Sequence, residues 1–147
     1  MPYLHLAMMT ALSFVAMYIL MYSMVDRPGY VYNSVNQVWM AALMAAPMVL
    51  IELAVMGAMY PDKWLNAALM AGSVIAAIVF FALIRYQTGI GDVQFVRSMI
   101  PHHSGAILMC REASISDSEL KKLCGEIIES QQREIDQMQA ILARLGK

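Results

Sequence analysis

Charge is what this sequence lacks most. Of 147 residues only 14% are charged, against about 25% in an ordinary soluble domain. Before residue 90 the charged residues are Asp26, Arg27, Glu52, Asp62, Lys63 and Arg85 alone. A basic excess is missing too: 10 Lys and Arg stand against 11 Asp and Glu, for a net charge of -1, which leaves no electrostatic case for nucleic acid. Cysteine is confined to Cys110 and Cys124, too few for a disulfide-built scaffold, and there is no CxxC motif. No Gly-rich phosphate loop, no nucleophile set beside a base and no Glu-x-x-His pair for a di-iron site occurs, so the chain does not read as an enzyme.

What is present is apolar and unevenly placed. Hydrophobic residues make up 60% of the chain and the mean hydropathy is +0.57, which excludes a disordered chain. Residues 3–22 carry no charge, 38–59 carry only Glu52, and 64–84 carry none. Each segment has the roughly 20 residues needed to cross about 30 Å of hydrocarbon at a helical rise. The separators fit this reading. Asp26-Arg27-Pro28-Gly29 and Asn33-Ser34 form a polar loop, and Tyr60-Pro61-Asp62-Lys63-Trp64 is a tight turn with interfacial aromatics. The first span has no Lys or Arg before it and no A-x-A site after it, so it is expected to be retained rather than cleaved. The flanking charges Arg27, Lys63, Arg85 and Arg97 faintly favour a cytoplasmic C-terminal part.

After residues 87–91 the pattern turns amphipathic. Asp92 is the expected N-cap of a helix over 93–111, with Pro101 as a kink or a local restart. Residues 114–118 form the turn, and Ser116-x-x-Glu119 reads as a capping box. A second helix follows over Ser118–Leu145, with a Glu129–Arg133 i,i+4 pair, and Gly146 ends it. The fold class is therefore all-α: a three-span transmembrane domain over 1–87 and an antiparallel helical hairpin over 88–147. Two helices alone bury little core. Dimerisation into a four-helix bundle would solve this, as would docking on the spans.

The hairpin face is unusual. At about 100° per residue, Asp92, Phe95, Val96, His102, His103, Ala106 and Cys110 share the side of the first helix that carries Met99. On the second helix Gln131 lies among Leu120, Cys124, Ile127, Ile128, Ile135, Met138, Leu142 and Leu145. A buried amide without a partner costs roughly 1–3 kcal/mol, so Gln131 is expected to have one. Antiparallel pairing about the turn sets Met99 opposite Gln131, with His102, His103 and Glu134 close by. Met138 lies a turn toward the base, and Cys110 toward the tip as a further supporting residue. Imidazole with thioether sulfur suits copper, Cu(I) above all, whereas zinc would ask for more Cys or a carboxylate. The competing reading is a packed core histidine. Two adjacent histidines point about 100° apart, so one can bind metal while the other holds Gln131 or Glu134. Cys110 and Cys124 read as small buried hydrophobes, and their spacing about the turn also allows a disulfide.

These residues carry a family resemblance. The order Met99-Ile100-Pro101-His102-His103-Ser104-x-Ala106-Ile107, then Leu123, Glu126-Ile127-Ile128, Gln131 and Glu134-Ile135-x-x-Met138, resembles the domain of unknown function 305 family. The methionine-rich spans and the Met59-Tyr60 turn resemble a membrane-bound subgroup of it. The resemblance implies a ferritin-like helical hairpin or bundle, a bacterial source and a link to copper binding and tolerance. It implies Met99, His102, His103 and Met138 as metal positions, with Gln131 and Glu134 in support. Cys110 and Cys124 stand where the family would have Ser or Ala. The missing Met/His-rich tail argues against high-capacity copper storage. The resemblance favours a bacterial inner-membrane protein with a periplasmic hairpin, the orientation expected here over the faint charge signal.

The spans hold most of the 15 methionines. Met17, Met21 and Met24 lie along the first, and Met40, Met44, Met48, Met56 and Met59 along the second, with Glu52 among them. A thioether ladder could pass Cu(I), or methionine simply fills gaps in an apolar setting. A mid-span charge costs about 2.5–3.5 kcal/mol on insertion scales. Glu52 is therefore expected to face a neighbouring helix, to be protonated or to bind a cation. Ala68-x-x-x-Gly72-x-x-x-Ala76 is a small-residue seam for close helix packing. The leading expectation is membrane-anchored copper binding in copper homeostasis. Its alternatives are a structural or accessory subunit of a larger membrane complex, and copper transport through a Met-lined oligomeric pore. The expected partners are the bilayer and either further copies of the chain or a larger complex.

Overall fold

The computed structural model describes residues 2–146. It holds five α-helices and, among the described residues, no strand: α1 Pro2–Leu20, α2 Val35–Met56, α3 Lys63–Arg85, α4 Asp92–Glu112 and α5 Ser118–Leu145. The all-α expectation holds. Helices α1 to α3, the first two extended by 3-10 turns at Met21–Met24 and Gly57–Met59, are long and apolar enough to cross a membrane. Asp62 caps α3 by accepting from the Leu65 amide at 2.9 Å. The chain leaves α3 through Gln87 at φ 50° and Gly89 at φ 78°, both left-handed, a backbone free of strain only at the glycine.

Contacts divide the chain into two units. One contains α1, α2 and α3. Leu6, Leu53 and Tyr60 form its small core. Ser73 Oγ donates to the Ala46 carbonyl at 2.6 Å and ties α3 to α2. Trp39 stacks on Phe80 with centroids 6.1 Å apart and donates to the Thr88 carbonyl at 3.1 Å. The small-residue seam does not close on a neighbour as expected. Ala68, Gly72 and Ala76 border an apolar cleft of about 940 Å³, whose other walls include Ala7 and Ala11 of α1 and Ala45 of α2. A Cβ on Gly72 would meet nothing within 4 Å. Small side chains on all three walls leave the space unfilled.

The other unit joins Tyr22–Val35 to α4 and α5. Its core is Tyr30, Val96, Ile100, Ile107 and Ile135. The buried face of α4 thus centres on Val96, Ile100 and Ile107, rotated from the Met99-centred face the pattern predicts. Residues 22–35 cause the rotation, because they cover α4 on a second side. Ser104, wholly buried there, accepts from the Asp26 amide at 2.8 Å. Arg111 Nη1 donates to Asp26 Oδ2 at 2.7 Å, with the Asp26 side chain only 8% exposed. The Tyr30 hydroxyl accepts from Gln132 Nε2 at 2.9 Å. A Cβ on Gly105 would come within 3.3 Å of the Met24 carbonyl oxygen, so a larger residue there would push the strap outward by a few tenths of an ångström. The polar loop between the first two spans is therefore a strap that gives the hairpin its missing third component. Ser104→Ala would leave the Asp26 amide without its acceptor, at a cost of about 1–3 kcal/mol. Faster amide hydrogen exchange in residues 22–35 is the expected readout, and unchanged exchange there would refute it.

Helix termini differ in detail from the sequence reading. Asp117, rather than Ser116, caps α5, accepting from the Leu120 amide at 2.8 Å. Gly91 precedes α4, and Asp92 sits in its first turn, where a negative charge favours the helix dipole. Pro101 lies inside a continuous α4. The i,i+4 pair on α5 is Lys122–Glu126 at 4.0 Å rather than Glu129–Arg133.

Candidate metal centre

Helix α4 turns His103 toward α5, where its Nδ1 comes 3.0 Å from Glu134 Oε2. The imidazole is 12% exposed and the carboxylate 50%. The approach is close yet out of line for a hydrogen bond, and this buried Nδ1 has no hydrogen-bond partner. Burial pushes the imidazole pKa below its usual 6.5; the Glu134 charge opposes this and His102 adds to the lowering. This direction favours the neutral form, in which imidazole binds a metal.

The other predicted positions are distributed around it. His102 is exposed, its ring centroid 6.1 Å from that of His103 and its plane tilted by 59°. Met99, one turn earlier, is half-buried. Met138 packs against the core cluster beside Ile141 and Leu142. Gln131 is half-buried, and among the described residues its amide makes no hydrogen bond, contrary to expectation. Its position at the edge of the hairpin core leaves the amide open to water, so no burial cost arises. The hydrogen-bonded amide is Gln132, which the helical projection passed over. It donates to the Tyr30 hydroxyl and, at 2.9 Å, to Asp136 Oδ1. Only the strap makes that position matter.

Cys110 is corrected. It forms a disulfide with Cys124, the Cα atoms 5.3 Å apart, so its sulfur is not available as a thiolate ligand. The turn brings the two helices together at that level, and this overrides the reading of two unlinked buried hydrophobes. Among the described residues, no group of three or more His, Cys, Asp or Glu side chains lies together as a metal site. A soft metal on one hairpin would need thioether donors as well as His103, and the chemistry of that donor set suits copper.

Glu52 lies four residues before the end of α2, within a span that runs on to Met59. The Tyr60 hydroxyl donates to its Oε1 at 3.1 Å. Around it the Tyr3 hydroxyl donates to Asn66 Oδ1 at 2.9 Å and accepts from the Asp62 amide at 3.1 Å. Polar partners at the helix end explain how the charge is accommodated. Met40 and Met44 are exposed, Met48 is half-buried, and none of the three lines the cleft.

Comparison with known proteins agrees with the hairpin. No solved structure matches the chain. An uncharacterised protein of Acanthamoeba polyphaga mimivirus is 40% identical over 72 residues, which cover 48% of this chain and 47% of that protein. The chain thus spans about half the length of this relative. Residues 81–146 match the family described as Domain of unknown function (DUF305), and this match supports DUF305 as the family of the C-terminal hairpin.

Proposed function

We propose that this protein is a membrane-anchored copper-binding protein of copper homeostasis, with its metal site on the C-terminal hairpin. The observation that carries the reading is His103: a largely buried imidazole whose Nδ1 lacks a hydrogen-bond partner, with His102 adjacent and Met99 one turn away. Met99, His102, His103 and Met138 would hold the ion, and Glu134 would orient the His103 ring. Soft thioether and borderline imidazole donors favour Cu(I). Copper supplies the redox chemistry of such a site; the chain supplies a partly dry, mixed-donor cradle.

One feature supports a location outside the cytoplasm, and the span count says which segments share its side. The Cys110–Cys124 disulfide belongs to an oxidising compartment. Three spans also put residues 22–35 and the segment after Arg85 on the same side of a membrane, which agrees with their packing in one unit. A bacterial inner membrane with a periplasmic hairpin is the setting this reading takes.

Titration of the detergent-purified protein with Cu(I) against a chromophoric competitor tests the proposal. Loss of a partner that merely orients a metal ligand costs about 10–100-fold in affinity, and His102→Ala/His103→Ala is expected to exceed that. Equal binding by both proteins would move the site to Met40, Met44 and Met48. No binding by either would overturn the copper reading in favour of a structural subunit.

A further inference from the structure

The hairpin is covered on one side only. On a helical projection at about 100° per residue, Ser104, Gly105 and Arg111 of α4 fall on one flank of the core, with Gln132 and Gln139 of α5. Those residues meet the strap. The opposite flank carries Phe95, Met99, His102 and Ala106 of α4, and Leu120, Leu123, Ile127 and Glu134 of α5. Phe95, Leu120 and Leu123 are large apolar side chains left about half exposed there. The same flank holds His103 and its contact with Glu134.

We propose that two copies of the chain pair through this uncovered face, and that the metal site is completed across the pair by Met99, His102 and His103 from each. The inference rests on the copper reading above and names its partner. The occupant is a second copy because the donors of one hairpin amount to half a site. Among the described residues of one chain, no three His, Cys, Asp or Glu side chains converge. His102 points out of its own hairpin while His103 points in. A two-fold axis through the face presents the same donors from both chains to one place. Ala106, a small side chain between His103 and Cys110, leaves room for the approach. The apolar residues at either end of the face, Phe95 toward the base and Leu120 and Leu123 toward the tip, then seal the centre from water. The result is a four-helix bundle with the ligands at its middle and a strap on each outer side.

The test uses the full-length protein in detergent and two kinds of variant. Phe95→Glu/Leu123→Glu charges the face at exposed positions and spares every proposed ligand. His102→Ala/His103→Ala removes ligands and spares the apolar ends. Mass by analytical ultracentrifugation and bound Cu(I) per chain are measured for each, with circular dichroism as the folding control. The expected result is a wild-type dimer holding its metal at one ion per pair of chains. The charged variant should lose both the hairpin pairing and tight binding, and the histidine variant should keep the dimer and lose the metal. A protein that binds one Cu(I) per chain, with affinity unchanged in the charged variant, would overturn the shared site and leave the copper reading intact. A wild-type dimer with no affinity for Cu(I) would sink the copper reading and the shared site together. Should the spans alone hold two copies together, the unchanged metal stoichiometry of the charged variant still counts against the inference.

Discussion

Replacing Ile135 by alanine is expected to cost the hairpin unit about 2–5 kcal/mol, the range for emptying a fully buried aliphatic site. Ile135 is completely buried, and it is the α5 residue around which Val96, Ile100 and Ile107 of α4 and Tyr30 of the strap assemble. A core built from so few residues has little capacity to collapse around a missing side chain. Ile135→Val, which removes one methylene, should cost about 0.5–1.5 kcal/mol. Tryptophan fluorescence is blind to this change, because Trp39 and Trp64 belong to α2 and α3. Amide hydrogen exchange in α4 and α5 is the appropriate measurement, with α1 to α3 as an internal reference. Protection in α4 and α5 unchanged by Ile135→Ala would show that the hairpin is held elsewhere.

The second large effect is expected from the disulfide. Cys110 and Cys124 are separated by 14 residues in sequence, and closing a loop of about 15 residues contributes about 3 kcal/mol in the chain-entropy model. Cys110→Ser/Cys124→Ser should lower the denaturation midpoint of the hairpin unit by a corresponding amount. Adding a reductant to the wild-type protein should reproduce the shift, and adding it to the double variant should do nothing. Cu(I) affinity of the folded double variant should match wild type, since Cys110 is joined to Cys124 and is not a ligand. A drop in affinity without a drop in stability would return Cys110 to the metal site.

The metal candidates were readable because they break the local pattern. Met99, His102 and His103 stand on a helix side that amphipathic spacing marks as inward-facing, and a polar or soft side chain there calls for a reason. What spacing could not decide was which of the two histidines points inward. That depends on the axial rotation of α4 against α5, and the rotation follows from contacts with Tyr30 and Ser104, more than 60 positions removed from their partners in sequence. The same rotation moved the important amide from Gln131 to Gln132. Glu52 shows the converse. Counting residues put it inside a span, which does run past it to Met59, but only the fold supplied the Tyr60 hydroxyl as its partner.

By itself the sequence determined the element plan. Three apolar runs of span length, a scarcity of charge before residue 90 and a 3.6-residue repeat after residue 92 are local properties, and local periodicity is enough to set helix number, type and approximate limits. Tertiary structure alone decided what covers the hairpin. A loop that reads as an ordinary polar connection becomes part of the core because Tyr30 fills the space between α4 and α5, and because Asp26 finds Ser104 and Arg111. No window of sequence contains both halves of those contacts. Burial and hydrogen-bond partnership at long range come from the packed chain, so the strap, the disulfide and the placing of Met99, His102 and His103 on the flank away from the strap emerge only once the helices are brought together.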